Sequence, residues 1–191
     1  MPFDLDKQHI LSRRDKSLKG SIDEKIAPVI DILNRHPDYY TTSSCAGRIS
    51  VLAPGKTKRE TRWILKSHGR MKREELANAL RKLPRQKVWF RAEPMILHVT
   101  CRNMEKATLL LGCAHSSGLK RSGILMPFNA NRVLIEGNDR MAAPIADGGR
   151  LLVDDSYLTF LLDEANAKLE RNLGRIARFE AACREQLSAR E

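Results

Sequence analysis

The chain alternates between stretches whose apolar residues recur every three to four positions and stretches where they recur every two. Leu5, Ile10, Leu11 and Leu18 form a loose helical stripe that predicts a first helix over 4–18, stopped by Gly20. Ser21 and Glu24 have the spacing of a capping box. Ile26, Val29, Ile30 and Leu33 then share the inner face of a second helix over 23–35, and Pro37 bars its continuation. Tyr39-Tyr40-Thr41-Thr42 is β-favouring, Ser43-Ser44-Cys45-Ala46-Gly47 is small and polar, and Ile49-Ser50-Val51-Leu52 resumes a strand. A hairpin over 39–52 is therefore expected, with an arginine beside its turn.

Further strands are expected at Trp63-Ile64-Leu65, 87–92, 95–101, 122–126, 132–135 and 151–153. A helix over 72–83 is closed by Pro84. Asn103 caps another that runs to about Ser116, with Ala107, Leu110, Leu111 and Ala114 buried and Gly118 as its stop. The last element is a long helix over 154–187, with Asp154 and Asp155 at the positive end of its dipole. Strands and helices are mixed, not strictly alternating. The expected class is α+β: a single compact domain spanning 1–191, with a mixed, mainly antiparallel sheet and packed helices. No GxGxxG follows a strand and no P-loop occurs, so the expected fold is non-Rossmann and an NTPase lacks support.

Composition narrows the class. At 191 residues, 42% hydrophobic and 30% charged, the chain has enough apolar material for a sizeable core. No stretch of about 18 apolar residues exists, so no membrane partner is expected. The acidic start lacks an apolar signal region, which makes a cytoplasmic location the expectation. Cys45, Cys101, Cys113 and Cys183 are scattered without a CxxC or a zinc-type pair, so they are expected to be reduced thiols and no metal is expected. The net charge of +11 is uneven: residues 56–91 hold thirteen bases against three acids, nearly the whole excess. One basic lobe on an otherwise neutral chain is the footprint of a polyanion partner, nucleic acid first. Trp63, Trp89 and Phe90 lie inside it and offer flat surfaces for a base.

The chemistry-bearing residues gather at strand ends. Small side chains at Ser44, Cys45 and Gly47 let a ligand approach the backbone, and Arg48 adds a planar cation suited to carboxylate or phosphate. Arg121-Ser122-Gly123 repeats the arrangement. Together the two turns make a pocket for a carboxylate- or phosphate-bearing ligand. His68 follows a strand and His98 lies within one, facing away from Leu97 and Val99. Glu93 starts the same strand pair, and a carboxylate beside a histidine makes an acid/base couple.

The stretch Tyr39–Ile49 closely resembles the signature of the tRNA wybutosine-synthesising protein three family, the wybutosine-pathway methyltransferases with archaeal relatives. The likeness continues through Trp63–His68, Glu93–Val99, Lys120–Ile124, Gly149–Val153, Ala165–Lys168, Asn172 and Arg175–Phe179. It thus covers almost the whole chain. Two departures stand out: Ala46 replaces a usual Ser, and Ile135-Glu136-Gly137 replaces an Ile-Arg-Ser type segment. The resemblance implies methyl transfer from S-adenosylmethionine to N4 of a 7-aminocarboxypropyl-demethylwyosine-type base beside the anticodon of phenylalanine tRNA. It further implies His98 or His68 as the proton acceptor with Glu93 as orienting partner. Arg48 and Arg121 would hold a carboxylate, and Ser44, Cys45, Gly47, Ser122 and Gly123 would line the cofactor pocket. A non-catalytic tRNA-binding module is the alternative expectation.

Overall fold

Strands Tyr39–Cys45 (β1) and Arg48–Ala53 (β2) do not pair with each other, so the expected hairpin is absent. Gly47, at φ 100°, redirects the chain between them in a conformation that L side chains rarely adopt. β2 then has both edges taken, by Arg62–Ser67 (β3) and by Val88–Glu93 (β4), which leaves no edge for β1. β1 pairs with Ile96–Cys101 (β5) instead. Every pairing is antiparallel and the α+β class holds, but the strands expected in one sheet form two.

The computed structural model describes residues 2–12, 23–57, 59–125 and 131–188. They fall into two units. The first comprises Met1–Ala46, Met95–Asn138 and Asn172–Glu191. Its sheet has the order β1-β5-β7-β6, where β6 is Gly123–Leu125 and β7 is Asn131–Glu136. Alternation along these strands turns Tyr39, Leu97, Val99, Cys101, Val133 and Ile135 to one face. That face is covered by helices Ala27–Arg35 (α2) and Met104–Ser116 (α4) and by the second half of Asp155–Ser188 (α5). Val29, Leu33, Leu110, Ile176 and Phe179 complete the core, each contributing on the order of 1.5–3 kcal/mol by leaving water.

α4 starts and stops where its caps dictate. The Asn103 side chain accepts the Lys106 N–H at 2.9 Å, and Gly118, at φ 86°, ends the helix while Leu119 N–H reaches the Ala114 carbonyl at 3.0 Å. α2 begins later than its pattern predicts, because 23–26 form a turn and Pro28 occupies the first helical turn. The first helix, Phe3–Leu11 (α1), ends with Ser12 as its C-cap, short of the expected 18. The expected stop at Gly20 and cap at Ser21 lie outside the described residues. α1 buries no residue and is held by polar contacts: Arg102 binds both Asp4 and Asp38 at 2.6 Å, and the Tyr40 hydroxyl donates to Asp6.

The second unit comprises Gly47–Pro94 and Asp139–Arg171. Its sheet has the order β3-β2-β4-β8-β9, with β8 at Met141–Asp147 and β9 at Arg150–Leu151. Helix Arg73–Ala79 (α3) and the first half of α5 belong to this unit. α3 is shorter than the 72–83 expected, since Leu80 already caps it. α5 matches its expected span, and the Asp154 carboxylate accepts the Tyr157 N–H at 2.8 Å to start it. All four cysteines are free, and none of the described helices is long and apolar enough to cross a membrane.

Candidate functional site

The face of the first sheet opposite its core carries the histidine of interest. β1 and β5 run in simple register through Tyr39–Thr41, and a bulge then inserts Thr42. Because of that extra residue Ser43, rather than Thr42, lies opposite His98, and its Oγ sits 2.8 Å from His98 Nδ1. His98 is in turn opposite Leu134, and Leu134 is opposite Gly123, so Ser43, His98, Leu134 and Gly123 form one row across all four strands. A Cβ built on Gly123 would meet nothing within 4 Å among the described residues. Burial, with the nearby Arg132 cation second, holds the His98 imidazole below its ordinary pKa of 6.5, which keeps the ring neutral near pH 7.

Arg132 stands on the same face, opposite Thr100 and one same-face step along β7 from Leu134. Its Nε is buried without a hydrogen-bond partner. Ser44 and Cys45 pair with Leu97 and Ile96 at the end of β1. The Ser122 hydroxyl is already used, accepting the Glu136 N–H at 3.2 Å, and the Ser122 carbonyl meets His115 Nε2 at 3.2 Å. Arg121 is exposed.

The second unit holds Gly47, Arg48, His68 and Glu93. Arg48 faces Glu93 across β2 and β4, and its Nε donates to the Glu93 carboxylate at 2.6 Å. The guanidinium also lies 5.0 Å from the centre of the Trp63 ring, which Lys66 approaches at 5.8 Å. Glu93 thus holds an arginine, not a histidine. His68 Nδ1 contacts the Gly47 carbonyl at 3.0 Å. The three aromatics of the basic lobe separate sharply: Phe90 is core, Trp89 is half-buried under Arg91, and Trp63 is 42% exposed. Every described lysine and arginine from Lys56 to Lys87 is exposed.

Two asparagines of α5 fix the backbone around these groups. Asn172, 1% exposed, accepts the Met95 N–H at 2.8 Å and donates to the Ala46 carbonyl at 2.7 Å, tying the end of β1 to the start of β5. Asn166 does the same for both backbone groups of Met71, at 2.9 and 3.0 Å. A buried amide that satisfies one donor and one acceptor removes two costly orphans at once.

Sequence reasoning placed His98 on the correct face but missed Ser43, which only the bulge brings to it. It also missed Arg132, although Arg132 and Leu134 visibly alternate with Val133 and Ile135.

The family model described as Methyltransferase TYW3 matches residues 5–185. The chain is 37% identical over 179 residues to the tRNA wybutosine-synthesizing protein 3 homolog of Mus musculus, covering 91% of this chain and 69% of that protein. A Methanocaldococcus jannaschii protein named tRNA(Phe) 7-((3-amino-3-carboxypropyl)-4-demethylwyosine(37)-N(4))-methyltransferase is 36% identical over 177 residues, with 90% of this chain and 91% of that one covered. A solved Pyrococcus horikoshii structure has a TM-score of 0.87 at 31% identity, over 95% of this chain and 96% of its own. With the family model spanning nearly its whole length, the chain belongs to the TYW3 family of methyltransferases.

Proposed function

We propose that this chain transfers a methyl group from S-adenosylmethionine to N4 of a 7-aminocarboxypropyl-demethylwyosine-type base at position 37 of phenylalanine tRNA, in wybutosine-derivative synthesis. The observation that carries this reading is the likeness to the M. jannaschii N4-methyltransferase, which extends over about nine-tenths of both chains. When bound, S-adenosylmethionine supplies a methyl group on a sulfonium, open to in-line displacement by a ring nitrogen.

The ring nitrogen of the acceptor loses a proton, and His98 is the proton acceptor in this reading. Its depressed pKa leaves the imidazole neutral and ready to accept. In this reading Nδ1–H donates to Ser43 Oγ, which leaves the Nε2 lone pair free. Cys45, Arg121 and Gly123 share the unit of His98 and remain the proposed donor-pocket residues, whereas Ser44, opposite Leu97, takes the other face of the sheet and is set aside. The space at Gly123 among the described residues suits a ligand there. Glu93 already balances the charge of Arg48, so Arg48, with Gly47, His68 and Glu93, is assigned to the RNA side. There the exposed cations of 56–87 track phosphates without reading sequence, and Trp63 offers a face for an unstacked base.

The test is incubation with S-adenosylmethionine and phenylalanine tRNA carrying the demethylated base, followed by nucleoside mass spectrometry. Gain of one methyl at N4 of that base is expected. Tight tRNA binding with an unmodified base would leave an RNA-binding module and overturn the reading.

A further inference from the structure

The cations beside the sheet of the first unit differ in one respect. Arg102 binds Asp4 and Asp38, and Lys106 binds Asp38 at 3.0 Å. Arg132 makes no ion pair or hydrogen bond with any described residue, yet its Nε is shut off from solvent. Arg132 is half-buried, with Nε covered and its two terminal nitrogens outside the buried set, so one edge of the guanidinium is fixed in the sheet face while the other can meet an anion from outside. Asp6, the acid that α1 brings to this side, accepts from the Tyr40 hydroxyl and keeps its charge, but it forms no ion pair with Arg132. Thr100, opposite Arg132, lies beside Tyr40 in the same row.

We infer that Arg132 is the carboxylate-binding residue of the His98 face, and that it takes the carboxylate of an α-amino-acid group. Four placements carry this. Arg132 shares a sheet face with His98 and Ser43. It is a diagonal neighbour of His98, a separation of roughly 7–8 Å or less that a long side chain spans easily. Its planar fork suits a carboxylate better than an ammonium would. The position diagonal to it on β6, Gly123, leaves room on the same face for the body of a ligand.

The choice of an α-amino acid rests on the proposed reaction. There the tail of the methyl donor and the 3-amino-3-carboxypropyl arm of the acceptor end in the same amino-carboxylate, so the shared chemistry has two possible sources. Arg132 is assigned to that chemistry and the experiment chooses between them. The free cation also opposes protonation of His98, and a carboxylate docked on Arg132 cancels that opposition. Ligand binding would therefore make His98 a better proton acceptor at the moment it is needed.

The experiment is equilibrium binding by calorimetry with the full chain and its Arg132→Gln and Arg132→Lys variants. One arm compares S-adenosylmethionine with its decarboxylated analogue. The other compares tRNA bearing the aminocarboxypropyl base with tRNA bearing the same tricycle without the arm. In the parent chain the carboxylate-bearing partner is expected to bind about 10- to 100-fold more tightly in one arm. Arg132→Gln abolishes that preference and Arg132→Lys keeps part of it. The arm in which the preference disappears identifies the source. Thermal melting of the ligand-free Gln variant is expected at or above the parent value, because an uncompensated charge has been removed, whereas a structural role for Arg132 would lower it. Equal preferences in parent and Arg132→Gln, or no carboxylate preference in either arm, overturn the inference. A preference that follows Arg132 without any methyl transfer would keep the inference and sink the proposed reaction instead.

Discussion

The His98 face of the first sheet and the Arg48 face of the second carry the same kinds of residue in different states. On the second sheet Arg48 is bound by Glu93 and stacked on Trp63, and its chemistry is spent within the protein. On the first sheet Arg132 pairs with no acid among the described residues, and His98 is held neutral beside Ser43. Both faces contain an arginine at a strand position, and the sequence around Arg48, with its small-residue turn, looks the more inviting. Arg91, on the Arg48 face, also has a buried Nε without a partner, but its guanidinium lies 5.7 Å from the centre of the Trp89 ring. The arginine left for a ligand is the one that lacks both an anion and an aromatic face among the described residues. Pairing satisfies a cation; burial without pairing leaves it poised for a partner from outside.

The comparison breaks most severely at the backbone that supports it. Asn172→Ala leaves the Met95 N–H and the Ala46 carbonyl unpaired in the interior, at about 1–3 kcal/mol for each group. Chemical denaturation should record that loss. Asn166→Ala should cost the same order around Met71, and if either variant unfolds at the parent midpoint the clamp account is wrong. Trp63→Ala sharpens the contrast on the RNA side. Loss of one stacking face is expected to weaken tRNA binding by about 1–3 kcal/mol while S-adenosylmethionine binding is unaffected. Filter binding at two salt concentrations checks this, since a stacking loss leaves the salt slope unchanged.

A smaller effect is carried by protons. In the folded chain His98 titrates below 6.5, so the unfolded chain binds this proton more readily. Its contribution therefore makes the fold less stable as pH falls below 6.5 toward the folded value, and this contribution is absent above that window. Following the imidazole resonance by NMR should place the midpoint below 6.5 in the parent and higher in Arg132→Gln; an unmoved midpoint contradicts the proximity argued here. The smallest effect belongs to the satisfied pair. Arg48 and Glu93 are 29% and 28% exposed, and a double-mutant cycle between them should return only about 0.2–1 kcal/mol.

Local pattern made much of this legible. Alternation through Leu97-His98-Val99 put His98 on the face away from the core, and the caps at Asn103 and Gly118 bounded α4 where they were expected to. The hairpin failed because strand propensity on both sides of a small-residue turn says nothing about which edges are free, and β2 is a central strand. Ser43 was hidden by one inserted residue, since a bulge changes which side chain faces the partner and leaves no trace in composition. Glu93 was expected beside a histidine because both begin one strand pair. In the fold Arg48, directly opposite on β2, takes it first. Pairing is a three-dimensional property, and it decides which charges are left over.

The central claim is that methyl transfer is carried out on the His98 face, with the Arg48–Glu93 pair outside the chemistry. Single-turnover transfer from labelled S-adenosylmethionine to the demethylated tRNA, compared between His98→Gln and Glu93→Gln, tests it most directly. Loss of a positioned proton acceptor predicts a fall of about 10²–10⁴-fold for His98→Gln, with tRNA binding retained. Glu93→Gln should stay within a few-fold of the parent. A His98→Gln chain that transfers at the parent rate, or a Glu93→Gln chain that fails as badly, would contradict the account.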